Sequence, residues 1–340
     1  MTTKIKIVAV GDILMWGKQI AAAKKNGGYS FRSMFQEVRP YLRGADLTIG
    51  NLETTFSGRE KQYQQKNPKT GYPMFNCPDE LAKTLKATGF DVLTTANNHC
   101  MDRGVRGLKR TLQVLDRHGF AHTGTYRKKE DSRKFLIKNV KGIRVGILAY
   151  TYGTNYISVP KSKPWLVNRI KLEKIRSDLR RLRKKADVTI VALHFGQEFR
   201  RYPTDKQKRL VKAVLKAGAD VILGCHPHVL QPIVWKNRQF AIYSLGNFIS
   251  ARMRDNLQTE SGVILNLTIK KEDNGETYVS GFDYIPTWTQ KWSKNGKASY
   301  RVLPVKKFLR HPDSHISAKD RDTLKQVWNN TTAHLKGHAR

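Results

Sequence analysis

Several short segments of this chain carry side chains suited to holding cations or moving protons. The densest is Leu223-Gly224-Cys225-His226-Pro227-His228, where two histidines flank a proline just after the apolar run Val221-Ile222-Leu223. Gly224 is expected to permit a sharp exit from that run, and Pro227 to stiffen the turn. His226 and His228 then stand on a rigid corner with separate aims, as imidazoles do when they ligate a metal. A lone His-x-His is more often a surface or core pair. Other segments shift that balance. Asp12 follows Val8-Ala9-Val10-Gly11, Glu53 follows Asn51-Leu52, His99 follows Asn97-Asn98, and His194 precedes Phe195-Gly196-Gln197-Glu198.

Mixed carboxylate, amide and imidazole donors suit zinc, manganese or iron better than calcium or a thiolate-selected metal. They exceed what one four-coordinate ion needs. The natural arrangement is two divalent ions about 3.5–4 Å apart, bridged by a carboxylate. Such a pair lowers the pKa of a trapped water and polarises a phosphoryl or carbonyl oxygen, and a histidine outside the coordination can protonate the leaving group. Alternatives stay open residue by residue. Asp12 precedes Ile13-Leu14-Met15-Trp16 and could equally cap a helix. Asn97-Asn98 alone would pass as turn chemistry.

The elements that must position these groups alternate between strand and helix. Apolar runs predict strands over 4–10, 46–50, 91–95, 188–193, 221–223 and 240–245. Helical spacing falls over 31–42, 78–89, 105–118, 170–185 and 205–217. Hairpins are expected at Lys141-Gly142 and around Asp273-Asn274-Gly275. The alternation argues for α/β architecture, in which function gathers beyond the carboxyl ends of strands. Each cluster named above lies at such an end. Residues 54–78 are polar and without period, as expected of a lid or binding loop.

The chain has 340 residues, 39% of them hydrophobic, which suits a folded globule. Its 63 Lys+Arg against 27 Asp+Glu give a formal charge of +36, a field that attracts polyanions such as nucleic acid, an anionic membrane face or a polycarboxylate. The charge is spread along the chain, so compositional bias explains it equally well. No zinc-finger spacing, RNP motif or helix-turn-helix signature is evident, which argues against sequence-specific nucleic-acid binding. Cys77, Cys100 and Cys225 form neither a disulfide framework nor a Cys-x-x-Cys site. They read as small fillers, with zinc ligation by Cys100 or Cys225 as the alternative. No run reaches the roughly 18–20 apolar residues of a membrane span. Met1-Thr2-Thr3-Lys4 leads straight into a strand pattern, with no signal peptide. The expectation is a cytoplasmic protein, or a membrane-associated or extracytoplasmic one if an anchor has been trimmed.

Gly11-Asp12, Asn51-Leu52-Glu53, Ala96-Asn97-Asn98-His99, His194-Phe195-Gly196-Gln197-Glu198, His226-Pro227-His228 and Ser244-Leu245-Gly246-Asn247-Phe248 stand in one order. Together, over about residues 4–250, they resemble the poly-γ-glutamate capsule biosynthesis family (CapA/PgsA type), a branch of the calcineurin-like metallophosphoesterases. The resemblance implies a four-layer α/β-β/α sandwich around a dinuclear site. Residues 1–286 would form the catalytic domain, and 287–340 a basic, aromatic extension with a helix over 319–335. It implies Asp12 as first-strand ligand and Glu53 as bridging carboxylate, with Glu in place of the superfamily's usual Asp. Asn98, His194 and His226 would bind the second metal and His228 the first. His99 would assist the leaving group, with Asp102 beside it, and Glu198 and Asn247 would support the ligands. Leu14 departs from the superfamily, where a ligating histidine commonly stands. The implied function is a metal-dependent hydrolase of poly-γ-glutamate synthesis or processing, acting on an anionic substrate. Two alternatives are a phosphomonoesterase or phosphodiesterase with the same site, and a non-catalytic subunit of a synthase complex that binds the polymer or an anionic membrane surface.

Overall fold

The computed structural model describes residues 2–294 and 296–336. Two large sheets lie face to face. The first runs in spatial order Lys297–Pro304, Thr277–Lys294, Ser261–Lys271, Thr3–Ile13, Leu47–Leu52, Val92–Thr94, Ala121–Thr123, with Asn247–Ile249 also paired to Thr3–Ile13. The second runs Leu230–Lys236, Gln239–Leu245, Val221–Cys225, Val188–His194, Ile143–Thr151, Leu136–Val140. The central strands of both sheets are parallel.

Period-two alternation builds the layers. Ile5, Ile7 and Ala9 on the first strand face Val145, Ile147, Ile190 and Val221 of the other sheet. Val8 and Val10 point the opposite way, onto Leu81, Leu85, Leu108 and Leu112 of the helices Glu80–Thr88 and Gly104–Arg117. On the far side, Leu148, Val191 and Leu193 pack on Ile175, Leu179, Val211 and Val214 of Leu172–Leu182 and Asp205–Lys216. Strands apolar on both faces are what burial between two covering layers requires. The result is the α/β-β/α sandwich, with no helix long and apolar enough to cross a membrane among the described residues.

Three expectations are corrected. The helix over 31–42 is two short helices, Arg32–Phe35 and Arg39–Arg43, because Pro40 lacks the N–H that a continuous helix needs and is tolerated only in a first turn. Asp12 caps no helix: it lies within Thr3–Ile13, fully buried. Gly224 does not turn the chain. It sits inside Val221–Cys225, where a Cβ would lie 2.0 Å from the Tyr243 carbonyl oxygen, so it serves close strand approach. Leu230–Lys236 is a strand despite Pro232, at the edge of its sheet, where a missing donor is tolerated. Residue 287, the expected start of a separate extension, lies inside Thr277–Lys294, and the helix Ala318–Lys336 packs its Leu324 and Val327 with Trp288 and Leu303. Of the segments expected as 1–286 and 287–340, Met1, Asn295 and residues 337–340 lie outside the described residues.

The Gly11-Asp12 step shows how tightly the first strand is held. Asp12 N donates to the Gly246 carbonyl at 3.1 Å, and a Cβ on Gly11 would stand 1.9 Å from that same oxygen. Gly11→Ala is therefore expected to cost about 3 kcal/mol of stability, the upper end of overpacking. Urea unfolding measures it, and a wild-type midpoint in the variant would contradict the close approach.

Candidate metal centre

The carboxyl ends of both sheets open toward one place. The first sheet delivers Asp12, level with Asn51 on one neighbouring strand and Asn247 on the other, and Glu53 just past Leu47–Leu52. The second delivers His194 as the last residue of Val188–His194, and His226 and His228 just after Val221–Cys225. The turn holding the last two is forced: His226 has φ +100° and His228 φ +59°. Side chains rarely adopt that region, and its persistence in packed surroundings is a mark of functional sites. The sharp exit expected from Gly224 is made by His226 itself.

The two sheets meet through hydrogen bonds. His226 N donates to Asp12 Oδ2 at 3.2 Å, and Asn51 Nδ2 donates to Asp12 Oδ1 at 2.7 Å. Asn51 also lies 3.3 Å from His194 Nδ1. His194 Nε2 faces Asn98 Oδ1 at 2.7 Å and Glu53 Oε1 at 3.3 Å. His228 Nδ1 faces Asp12 Oδ2 at 3.3 Å, Glu53 Oε2 at 3.9 Å and Asn247 Oδ1 at 3.0 Å. Asn247 Nδ2 in turn donates to the Thr259 carbonyl at 2.7 Å, which fixes its oxygen toward the imidazole. Donor atoms of Glu53, His194 and His226 lie within 4.8 Å of one another, as do those of Asp12, Glu53 and His228, and those of Glu198, His226 and His228. Glu53 belongs to two of these groups.

Electrostatics mark where a cation belongs. Asp12 and Glu53 are both fully buried. Burial would raise the Asp12 carboxyl, but His228, His194 and Asn51 outweigh it and bring it down to about 2. Burial would likewise lower His228, yet its contact with Asp12 outweighs burial and raises it. Glu53 has no such relief. Burial, then the charges of Asp12, Glu198 and Asp102, push it well above the ordinary glutamate range. Burial lowers His194 to about 3, and burial with neighbouring imidazoles lowers His226 well below the usual range, so both stand neutral, the form that ligates. Both Glu53 oxygens and His226 Nδ1 are buried without a hydrogen-bond partner among the described residues. A buried carboxylate left unpaired is costly, and a cation shared with neutral imidazoles is the chemistry that relieves it. The residues present fit a bound divalent ion.

Beside this cluster, His99 is clamped. Its Nδ1 lies 2.7 Å from Asp102 Oδ2, which also accepts from Phe75 N at 2.6 Å. The Tyr72 ring stacks on the imidazole at 5.8 Å and Phe75 meets it edge-on at 4.7 Å. Tyr72 and Phe75 come from the hairpin Gln64–Lys66 and Pro73–Phe75 within the long polar segment. The Tyr72 hydroxyl donates to Glu198. Leu14 is buried with Phe75 and Met253, offering no donor. Cys77, Cys100 and Cys225 are buried free thiols, outside the ligand groups.

The structure thus brings together every side chain expected at the site: Asp12, Glu53, Asn98, His99, Asp102, His194, Glu198, His226, His228 and Asn247. Glu198, expected only as support, stands among the donor groups. Asn51, Tyr72, Tyr152 and Asn155 join them at the site, though they are not among the side chains expected there. Tyr152 lies against His226, ring centroids 4.6 Å apart, and Asn155 Oδ1 accepts from Asn98 at 3.2 Å. Tyr152 follows directly on the strand Ile143–Thr151 and Asn155 comes three residues later, so the rule that found the other clusters points to this strand end too.

Residues 6–252 match the family model described as bacterial capsule synthesis protein PGA_cap. The chain is 32% identical over 299 residues to the PGA biosynthesis protein CapA of Bacillus subtilis (strain 168), covering 86% of this chain and 76% of that protein. It is 32% identical over 251 residues to the capsule biosynthesis protein CapA of Bacillus anthracis, covering 72% of this chain and 60% of that one, so it spans less than two thirds of that relative. Among solved structures, its fold is similar to that of a Staphylococcus aureus protein described as a 5′-nucleotidase, with a TM-score of 0.52, 15% identity, and coverage of 96% of this chain and 58% of that chain. That likeness concerns the fold alone. The matched family span contains every strand end that supplies a candidate ligand, and the chain belongs to the PGA_cap family of bacterial capsule synthesis proteins.

Proposed function

We propose that this chain is a metal-dependent hydrolase of poly-γ-glutamate capsule synthesis or processing, acting on an anionic substrate at a two-metal centre. The family and the names of its Bacillus relatives support the capsule polymer as substrate. The observation that carries the catalytic part is Glu53. Its two oxygens are buried and unpartnered, and they face different imidazoles, Oε1 toward His194 and Oε2 toward His228. That is the disposition of a bridging carboxylate.

On this reading Asp12, Glu53 and His228 would hold one divalent ion, and Glu53, Asn98, His194 and His226 would hold the other, with Glu198 in reach of the histidine corner. Bound there, the ions would polarise a substrate oxygen and acidify a water. The chain's own groups do the rest. Asp102 fixes the proton of His99 on Nδ1, which leaves Nε2 to exchange a proton with the leaving group. The exposed guanidinium groups of Arg169, which donates to the Tyr152 carbonyl, and Arg254, stacked over Phe199 at 4.8 Å, rim the site with positive charge. Carboxylates of the substrate suit that rim.

Four outcomes are expected. Manganese or zinc added to chelator-stripped protein raises Tm, by about 2.7 kcal/mol of stabilisation at a hundredfold excess over Kd. Glu53→Gln abolishes that rise while keeping metal-free stability within about 1 kcal/mol, and an undiminished rise would contradict the bridging role. His194→Ala and His228→Ala lose metal-dependent cleavage of γ-linked polyglutamate, measured by release of new amino termini. His99→Gln lowers kcat by about 10²–10⁴-fold with the metal-induced Tm rise retained. Cleavage of a chromogenic phosphodiester but not of polyglutamate would shift the reading to a phosphoesterase.

A further inference from the structure

A cavity of about 680 Å³ opens where the C-terminal strands and helix meet the segment after Asn247. Its walls come almost wholly from residues beyond 252, where the family match ends, and none is a candidate ligand of the metal centre. Trp288, Trp292 and Tyr300 form its aromatic side. The Tyr300 hydroxyl and the Trp292 Nε1 are buried and have no partner among the described residues, and Tyr300 is only 3% exposed. The exposed ammonium groups of Lys18, Lys291 and Lys319 line the mouth, and none of them is in an ion pair among the described residues.

The carboxylates in the wall are already engaged. Glu260 Oε2 accepts from Arg252 at 2.7 Å and from Trp288 Nε1 at 3.4 Å. Asp320 Oδ2 accepts from Ser317 N, Ser317 Oγ and Gln290. Beside them the wall offers free donors and positive charge on an aromatic floor. Such a surface takes an acceptor-rich anion, and its volume suits several small units of a chain.

We propose that this cavity is a second binding site for a carboxylate-rich chain, seating a stretch of polymer outside the metal centre. The inference rests on the capsule-polymer reading for the identity of the chain. The geometry links the two places. Asn247 stands at the metal centre and Arg252 in the cavity wall, five residues on, so their Cα atoms are at most about 18 Å apart. Arg254 turns back over Phe199, which lies beside His228. One extended polymer can therefore touch both sites, with basic groups between them.

The test is binding of a defined γ-linked glutamate oligomer to the full chain by calorimetry at physiological ionic strength. Lys291→Glu with Lys319→Glu is expected to weaken binding by roughly tenfold or more. Tyr300→Phe, which removes only the hydroxyl, weakens it by a smaller factor. The same charge change at Lys206 and Lys212, exposed on a distant helix, serves as the control for general attraction. Equal loss in both double variants, or loss in neither, overturns the site. Retained binding in His226→Ala supports it as separate from the metal centre. If wild-type protein binds the oligomer through these lysines but never cleaves it, the hydrolase reading falls and this site stands. If it cleaves the oligomer and Lys291→Glu/Lys319→Glu binds normally, the reverse holds.

Discussion

Two carboxylates, Asp12 and Glu53, are sealed from water at the junction of two sheets. In so dry a place each charge needs a compensating partner, because neither solvent nor distance screens it. Asp12 finds His228, Asn51 and the backbone of His226. Glu53 finds only atoms that would themselves share a cation. The architecture around this pair is arranged to keep it buried and yet within reach of three imidazoles. That requirement explains features that a purely structural core would avoid.

One such feature is backbone strain. Two histidines in the left-handed region, separated by a proline, cost on the order of 1–3 kcal/mol each. The corner persists because the flanking segments are over-determined. Phe195 N donates to the Cys225 carbonyl at 3.0 Å, Phe199 N donates to the Pro227 carbonyl at 2.8 Å, and in the strand before it Gly224 packs against Tyr243 with no room for a Cβ. Another is the clamp on His99, gripped by Asp102 and by two aromatic rings from a hairpin distant in sequence. Such rigidity holds the imidazole in one orientation, which the proposed proton exchange would need.

Much of this was legible in the chain. The strand-end positions of Asp12, Glu53, His99, His194 and the histidine pair follow from short apolar runs that end in polar clusters, a local signal. The α/β class follows from the alternation of strand and helix, and the four layers were implied by the resemblance to the capsule biosynthesis family. What the chain did not disclose depends on contacts distant in sequence. Gly224 reads as a turn residue until Tyr243 is placed against it. Pro232 argues against a strand until the strand is known to be an edge. Tyr72 lies in a stretch without period, and only folding puts its hydroxyl on Glu198. Glu198 itself moves from a supporting place to one among the donor atoms because Phe199, at φ +65°, bends the loop back toward His228. The alternation that argued for α/β architecture says nothing of how the segment over 31–42 divides at Pro40.

Crystals of the protein soaked in manganese, with anomalous differences recorded, examine the central claim most directly. Two peaks about 3.5–4 Å apart, one on each oxygen of Glu53, are the result expected if that carboxylate bridges a metal pair. A site without anomalous density at Glu53, or a single ion bound away from His194 and His228, would contradict it.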